Sequence, residues 1–118
     1  GLAFKAETDD MRESPAIDLI EGLLRAGVNV RAHDPAALGT ARRIFGDRIS
    51  YAEHQYDVLK GADALVIVTE WLQFRNPDFP RMKSLLRRPV IVDGRNLYDP
   101  AKMKALGFVY TGIGRAPT

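Results

Sequence analysis

The stretch PVIVDGRN places a glycine and an arginine, Gly94 and Arg95, directly after an apolar run. An arginine there offers a planar fork of donors matched to a pair of phosphate or carboxylate oxygens, and a glycine lets the chain turn sharply or a ligand come close. The same residues also read as an ordinary turn in which Asp93 caps and Arg95 is solvated; sequence alone leaves both readings open. A second charged stretch, FKAETDDMRES, runs from Phe4 to Ser14 and leads into Pro15. The free NH groups and positive dipole end of a helix starting there favour an anion, and Lys5 and Arg12 would add charge for a phosphate or carboxylate. The plainer alternative is that Asp9, Asp10 and Glu13 favour the helix start while the two bases pair with them on a solvated surface. A cation immediately before a helix start is disfavoured by the dipole, so a partner is expected to hold Arg12. In a third stretch, VTEWLQFRNPD, Trp71 and Phe74 read as packing groups covering a sheet edge or a neighbouring domain, not as base-stacking platforms.

Some chemistries are excluded outright. With no cysteine the chain has no thiol nucleophile, disulfide or thiolate zinc site, and its two histidines, His33 and His54, stand too far apart in sequence to suggest an imidazole metal cluster. Neither GxGxxG nor GxxxxGK[ST] occurs, so no dinucleotide is expected to bind to this chain by itself. Asp9 and Asp10 are similar to the acidic pair of a response-regulator receiver, but the strand ALVIVT ends in Thr69 and Glu70 where a phosphate-accepting aspartate would be needed. The net charge of +2 is carried by scattered arginine pairs interleaved with acids. That is not the concentrated basic face of a nucleic-acid binder. No uncharged apolar run approaches the ~18 residues of a membrane span, and no secretory signal is present. A cytoplasmic protein without membrane or nucleic-acid partners is expected.

The elements that must position these stretches follow from periodicity and punctuation. Ser14 and Pro15 form a helix start, Ala16, Ile17, Ile20, Leu23 and Leu24 recur at helical spacing, and Gly27 stops the run, which predicts a helix over 15–26. VNVRAHDP alternates and then breaks at Asp34 and Pro35, a strand ending in a turn. A second helix is expected over 36–45, a short edge strand in ISYAE, and a brief helix at 56–60 closed by Gly61. ADALVIVTE is the clearest strand, because Ala64 to Val68 is apolar without alternation, as when helices cover both faces of a parallel sheet. A helix over 77–86 buries Phe79, Met82, Leu85 and Leu86. PVIVDGRN repeats the buried-strand pattern, a helix runs over 100–106, and FVYTGIG is the last strand.

At 118 residues the chain is expected to be one domain, 1–118, long enough to bury a sizeable core without metal or disulfide staples. Strands alternating with helices predict an α/β fold, a Rossmann-like doubly wound, mainly parallel sheet with helices on both faces. Ligands in such sheets bind beyond the carboxyl ends of the strands, which is where the three charged stretches fall.

GLAFKAETDDMRESP, TEWLQFRNPDF and PVIVDGRNLYDP, in this order, resemble the C-terminal UDP-sugar-binding domain of the nucleotide-sugar dehydrogenases, the UDP-glucose/GDP-mannose dehydrogenase family. The resemblance spans essentially all 118 residues and is strongest to members acting on UDP-glucose. It implies a two-step, NAD-dependent oxidation of UDP-glucose to UDP-glucuronate in polysaccharide biosynthesis, passing through a cysteine-bound thiohemiacetal and thioester. It also implies that the cysteine, the catalytic lysine and the main NAD site belong to N-terminal and central domains absent here. Phe4 and Lys5 match the loop that contacts the UDP-sugar, Arg95 an arginine that reaches it from the other half of the domain, and Arg12 a residue that approaches NAD. Cations on separate loops would clamp the pyrophosphate and orient the sugar, so this chain would bind and position substrate without breaking a bond. The chain starts on Gly1 and not on methionine, and Gly1 to Phe4 reads as the end of a strand. A piece of a longer protein is therefore expected: inactive alone, homo-oligomeric when complete, and exposing apolar surface around Phe4, Trp71 and Phe74. A same-class enzyme for UDP-N-acetylmannosamine or GDP-mannose, or a non-catalytic nucleotide-binding module, are the rival readings.

Overall fold

Helices and parallel strands alternate along the chain, as the spacing predicts. The computed structural model describes residues 1–112, which divide into a first compact unit, Gly1–Val58, and a second that begins at Leu59. Among the described residues no helix is long and apolar enough to cross a membrane.

In the first unit, helix α1 spans Pro15–Arg25. Ser14 is extended at φ −69° and ψ 132°, and its Oγ accepts from the Ala16 NH at 3.2 Å. The same hydroxyl donates to the Leu2 carbonyl at 2.6 Å, so one side chain both starts the helix and ties it to the chain's beginning. Ala16 and Ile20 face the interior, and Gly27 takes the left-handed conformation, φ 79°, that ends the helix. Strands β1 (Arg31–Ala32) and β2 (Ser50–Tyr51) pair in parallel, Arg31 opposite Ser50 and Ala32 opposite Tyr51. Between them, helix α2 (Leu38–Phe45) buries Ala41 and Phe45 and stops at Gly46, φ 58°.

Two strand expectations are corrected in this unit. The alternating segment from Val28 pairs only at Arg31–Ala32, because its partner is just as short and the Val28 NH turns back to the Leu23 carbonyl. Gly1 to Phe4 is not a strand. Leu2 and Ala3 are nonetheless almost fully buried, and their NH groups go to a side chain: Oδ2 of Asp34 accepts from Leu2 at 2.8 Å and Ala3 at 3.4 Å. A buried carboxylate has taken the place of a neighbouring strand.

The second unit is a three-stranded parallel sheet in the order β3-β4-β5, built from Leu65–Ile67, Val90–Asp93 and Val109–Gly112. Helix α3 (Phe79–Leu85) connects β3 to β4 and helix α4 (Pro100–Ala105) connects β4 to β5. Each helix starts on an aspartate cap: Asp78 accepts from the Arg81 NH at 3.0 Å and Asp99 from the Lys102 NH at 3.2 Å. The cap at Asp78 makes Phe79 the first helical residue and leaves Pro77 outside the predicted helix. Residues 56–60 form a single 3₁₀ turn, Asp57–Leu59, in place of a helix. Of FVYTGIG, residues 113 and 114 lie outside the described residues.

The core of this unit gathers Ile91, Tyr110, Met103, Phe108 and Met82, with Phe79 edge-on to Tyr98 at 5.1 Å between ring centroids. Ile91 and Asp93 are fully buried, whereas Val92 between them is 38% exposed and Val109, opposite Val90, is 55% exposed. An unalternating apolar run records β-branched residues suited to a pleated strand, and Val92 and Val109 lie on its less buried side.

Candidate functional site

The sequence-predicted residues fall on two loops, one in each unit. In the first unit the loop after Ala3 closes on itself, the Phe4 NH donating to the Asp10 carbonyl at 3.2 Å. Met11 anchors it from beneath, 2% exposed, and Glu7 and Glu13 hold left-handed conformations at φ 63° and 58°. Phe4 stays 37% exposed at the top of this loop, and the Lys5 ammonium lies 5.4 Å from the centre of its ring. Phe4 and Lys5 therefore present one exposed pairing of an aromatic face and a cation.

Arg12 does have the partner its position calls for, and it comes from the same loop. Its backbone NH donates to Asp10 Oδ1 at 2.9 Å, its Nε to both carboxylate oxygens, and its Nη2 to Oδ2 at 2.6 Å. These bonds pull the Asp10 carboxyl down to about 2 and push Arg12 above its ordinary value. The Arg12 side chain remains 89% exposed, so this ion pair orders the loop without burying the cation. For Arg12 the plainer alternative, a surface pairing with one of the neighbouring acids, is what the structure holds, and the acid is Asp10.

In the second unit Arg95 is set from both ends. Its NH donates to Asp93 Oδ1 at 3.0 Å, while its Nε reaches back across the strand ends to the Val68 carbonyl at 2.9 Å. Its Nη1 lies 3.5 Å from Glu70 Oε2, with the two side chains 30% and 39% exposed. Gly94 is required by a close approach of backbone, since its NH donates to the Ile67 carbonyl at 2.8 Å and a Cβ would sit 2.8 Å from that same oxygen. The outcome is a partly exposed guanidinium held beyond the carboxyl ends of β3 and β4, where an α/β sheet accepts ligands.

Four further groups were not singled out as site residues from sequence. Asp93 is fully buried, and its Oδ2 accepts from the Leu97 NH at 2.7 Å, the Tyr98 NH at 3.2 Å and the Tyr110 hydroxyl at 2.6 Å. The signal for Asp93 was present in DGRN, an aspartate two residues before an NH that must be turned back; for Tyr110, 17 residues away, there was none. Thr69 is fully buried and, like the indole NH of Trp71, its hydroxyl has no hydrogen-bond partner among the described residues. Trp71 and Phe74 are half-buried, in line with packing groups, and the large exposed apolar residue of that segment is Leu72 at 79%.

Over residues 1–100 the chain matches the UDP-glucose/GDP-mannose dehydrogenase family, UDP binding domain. It is 55% identical over 120 aligned residues to the UDP-glucose 6-dehydrogenase of Pseudomonas aeruginosa, covering 98% of this chain and 26% of that protein. To the UDP-glucose 6-dehydrogenase TuaD of Bacillus subtilis it is 41% identical, over 98% of this chain and 25% of that protein. Among solved structures it is similar to a UDP-glucose dehydrogenase from the archaeon Pyrobaculum islandicum, with a TM-score of 0.80 and 35% identity over 98% of this chain and 24% of that one. An NDP-N-acetyl-D-galactosaminuronic acid dehydrogenase from Methanosarcina mazei gives a TM-score of 0.81 and 31% identity, over 98% of this chain and 23% of that one. The chain thus spans about a quarter of the length of the curated relatives it matches.

Proposed function

We propose a function from one premise: the chain belongs to the UDP-glucose/GDP-mannose dehydrogenase family, of which it forms the UDP binding domain. It serves as the substrate-binding part of a UDP-glucose 6-dehydrogenase that oxidises UDP-glucose to UDP-glucuronate in two steps. Phe4 and Lys5 contact the nucleotide sugar, and Arg95 meets its diphosphate. The observation that carries this reading is Arg95 itself. With its backbone NH held by Asp93, its Nε fastened to the Val68 carbonyl and its Nη1 beside Glu70, the Arg95 side chain is preorganised for a doubly charged ligand, with little side-chain entropy left to lose on binding.

NAD, when bound, supplies the hydride acceptor. What this chain offers it is Arg12, a single exposed cation engaged by Asp10, and no glycine-rich turn for a pyrophosphate. The fit is that of a peripheral contact, so NAD is held mainly by residues outside this chain and only its approach to Arg12 is assigned here. The complete enzyme is a cytoplasmic homo-oligomer, and this chain alone binds and orients substrate without catalysis.

Kinetics of the complete dehydrogenase test the assignment. Loss of a charge-assisted contact worth about 1.5–3 kcal/mol predicts that Arg95→Ala raises KM for UDP-glucose roughly 10- to 150-fold with a smaller effect on NAD. Unchanged kinetics would remove Arg95 from the site. Arg12→Ala weakens NAD, and an effect confined to the sugar would reverse the two roles. NADH formation from UDP-glucose by the 118-residue chain alone would overturn the non-catalytic assignment. A second reading, supported by the similarity to a dehydrogenase of an N-acetylated sugar, is a same-class enzyme for UDP-N-acetylmannosamine or GDP-mannose. A panel of nucleotide sugars separates the two, and oxidation of none of them would leave a non-catalytic nucleotide-binding module.

A further inference from the structure

We infer that Tyr110 is a positioning residue for substrate, acting through Asp93 on Arg95; this rests on the assignment of Arg95 to the diphosphate. The chain of contacts is short and lies wholly within the second unit. The Tyr110 hydroxyl donates to Asp93 Oδ2 at 2.6 Å and also lies 3.1 Å from the Tyr98 carbonyl. Tyr110 and Asp93 are 1% and 0% exposed, so this bond is made out of water, where hydrogen bonds to a charge are strong and their loss is felt. The other oxygen of the same carboxylate accepts the Arg95 NH at 3.0 Å. Whatever rotates or displaces the Asp93 carboxylate therefore moves the backbone from which the Arg95 side chain springs.

Register explains why the tyrosine comes from β5. Tyr110 pairs with Ile91 and Gly112 with Asp93, and residues two apart on a strand share a face, so Tyr110 and Asp93 lie on the same packed side of the sheet. A long aromatic side chain carries its hydroxyl the distance of one residue pair along that face. Gly94, the Val68 carbonyl and Glu70 set the rest of the arginine's path, and the Asp93 carboxylate sets the backbone NH from which that path starts. A phenylalanine at 110 would fill the core as well as tyrosine does while removing one of three donors from Oδ2. Its effect on substrate would then arise through Arg95 and not through loss of packing.

Removing Asp93 itself strips every one of these buried bonds and risks the fold, so the informative variant is Tyr110→Phe, made in the complete dehydrogenase with and without Arg95→Ala. The expected result is a rise of about 3- to 10-fold in KM for UDP-glucose, the scale of one net hydrogen bond, with kcat and the KM for NAD little changed. In the Arg95→Ala background Tyr110→Phe has no further effect on KM, because its route to substrate is gone. An unchanged KM in Tyr110→Phe beside a raised KM in Arg95→Ala overturns this inference and leaves the function standing. An equal effect of Tyr110→Phe in both backgrounds also overturns it, since the tyrosine would then act on the fold at large. If Arg95→Ala itself leaves KM unchanged, the underlying assignment fails and this inference with it.

Discussion

Asp34→Asn tests whether one buried carboxylate holds the start of the chain, and with it the loop that follows Ala3, in place. Asp34 is 2% exposed and accepts four backbone NH groups: Oδ1 those of Ala36 and Ala37 at 2.8 and 2.9 Å, Oδ2 those of Leu2 and Ala3 at 2.8 and 3.4 Å. An amide keeps one acceptor oxygen and turns an NH₂ toward the other two donors, so one of the pairs must be lost. The Ala36 and Ala37 pair is the shorter and is local, hence the oxygen stays there and Leu2 and Ala3 are released. One good and one long hydrogen bond to a charge are lost and two buried NH groups orphaned, a cost of about 2–4 kcal/mol. That is a large part of the roughly 5–15 kcal/mol that stabilises a typical domain. Urea denaturation at neutral pH reads the loss, and amide hydrogen exchange reads its location. Exchange should quicken at Leu2, Ala3 and Phe4 while the start of α2 keeps its protection. A loss under about 1 kcal/mol, below the range for a lost charge-assisted bond, or faster exchange at Ala36 and Ala37 with Leu2 still protected, would refute the reasoning.

Other perturbations have equally definite outcomes. Gly94→Ala forces a Cβ to 2.8 Å from the Ile67 carbonyl oxygen, a backbone atom that cannot swing aside, and should destabilise the second unit by about 1–3 kcal/mol, read by thermal denaturation. An unaltered melting temperature would mean that the turn relaxes freely. His33 is buried, its Nδ1 lies 2.8 Å from the Ala52 carbonyl, and burial, the largest influence, lowers its pKa below 6.5. A depressed histidine binds fewer protons folded than unfolded, so the stability it contributes is complete above about pH 6.5 and is lost as pH falls through that value toward the folded pKa. The melting temperature should therefore drop on acidification from about pH 7.5 to 5. His33→Asn should flatten that drop, and an identical slope in the variant would show that other groups cause it. The Asp10 carboxyl, depressed to about 2, contributes stability that is complete above its ordinary 3.8 and is lost only as pH falls from there toward about 2, so Asp10→Asn should leave the slope of the profile above pH 5 unchanged.

Much of the fold was legible because its signals are local. Ser14 caps α1 through an NH two residues on, and Gly27, Gly46 and Gly107 end helices by taking positive φ, whereas the Asp78 cap that starts α3 at Phe79 is not read from the sequence pattern. Strand lengths were less legible, because a ladder ends where its partner ends. Nothing in VNVRAHDP reports that residues 50 and 51 are its whole partner. The order of charges in FKAETDDMRES announced that Arg12 needed a partner, and the structure chose Asp10 over Asp9 and Glu13 because Asp10 also meets the Arg12 backbone NH.

By itself, the sequence determined the alternation of helices and parallel strands, the Ser14 start of α1, the glycines that stop the helices, and the two loops on which Phe4, Lys5, Arg12 and Arg95 stand. All of these rest on contacts within a few residues or on a period of side chains, and such information is written along the chain. Only the tertiary structure decided that Asp34 would stand in for a strand 32 residues away, that Val68 and Glu70 would engage Arg95, and that Tyr110 would complete the shell of Asp93. A buried carboxylate must find its donors wherever packing brings them. Which NH or hydroxyl arrives is fixed by sheet register and burial, and neither is encoded at the aspartate itself.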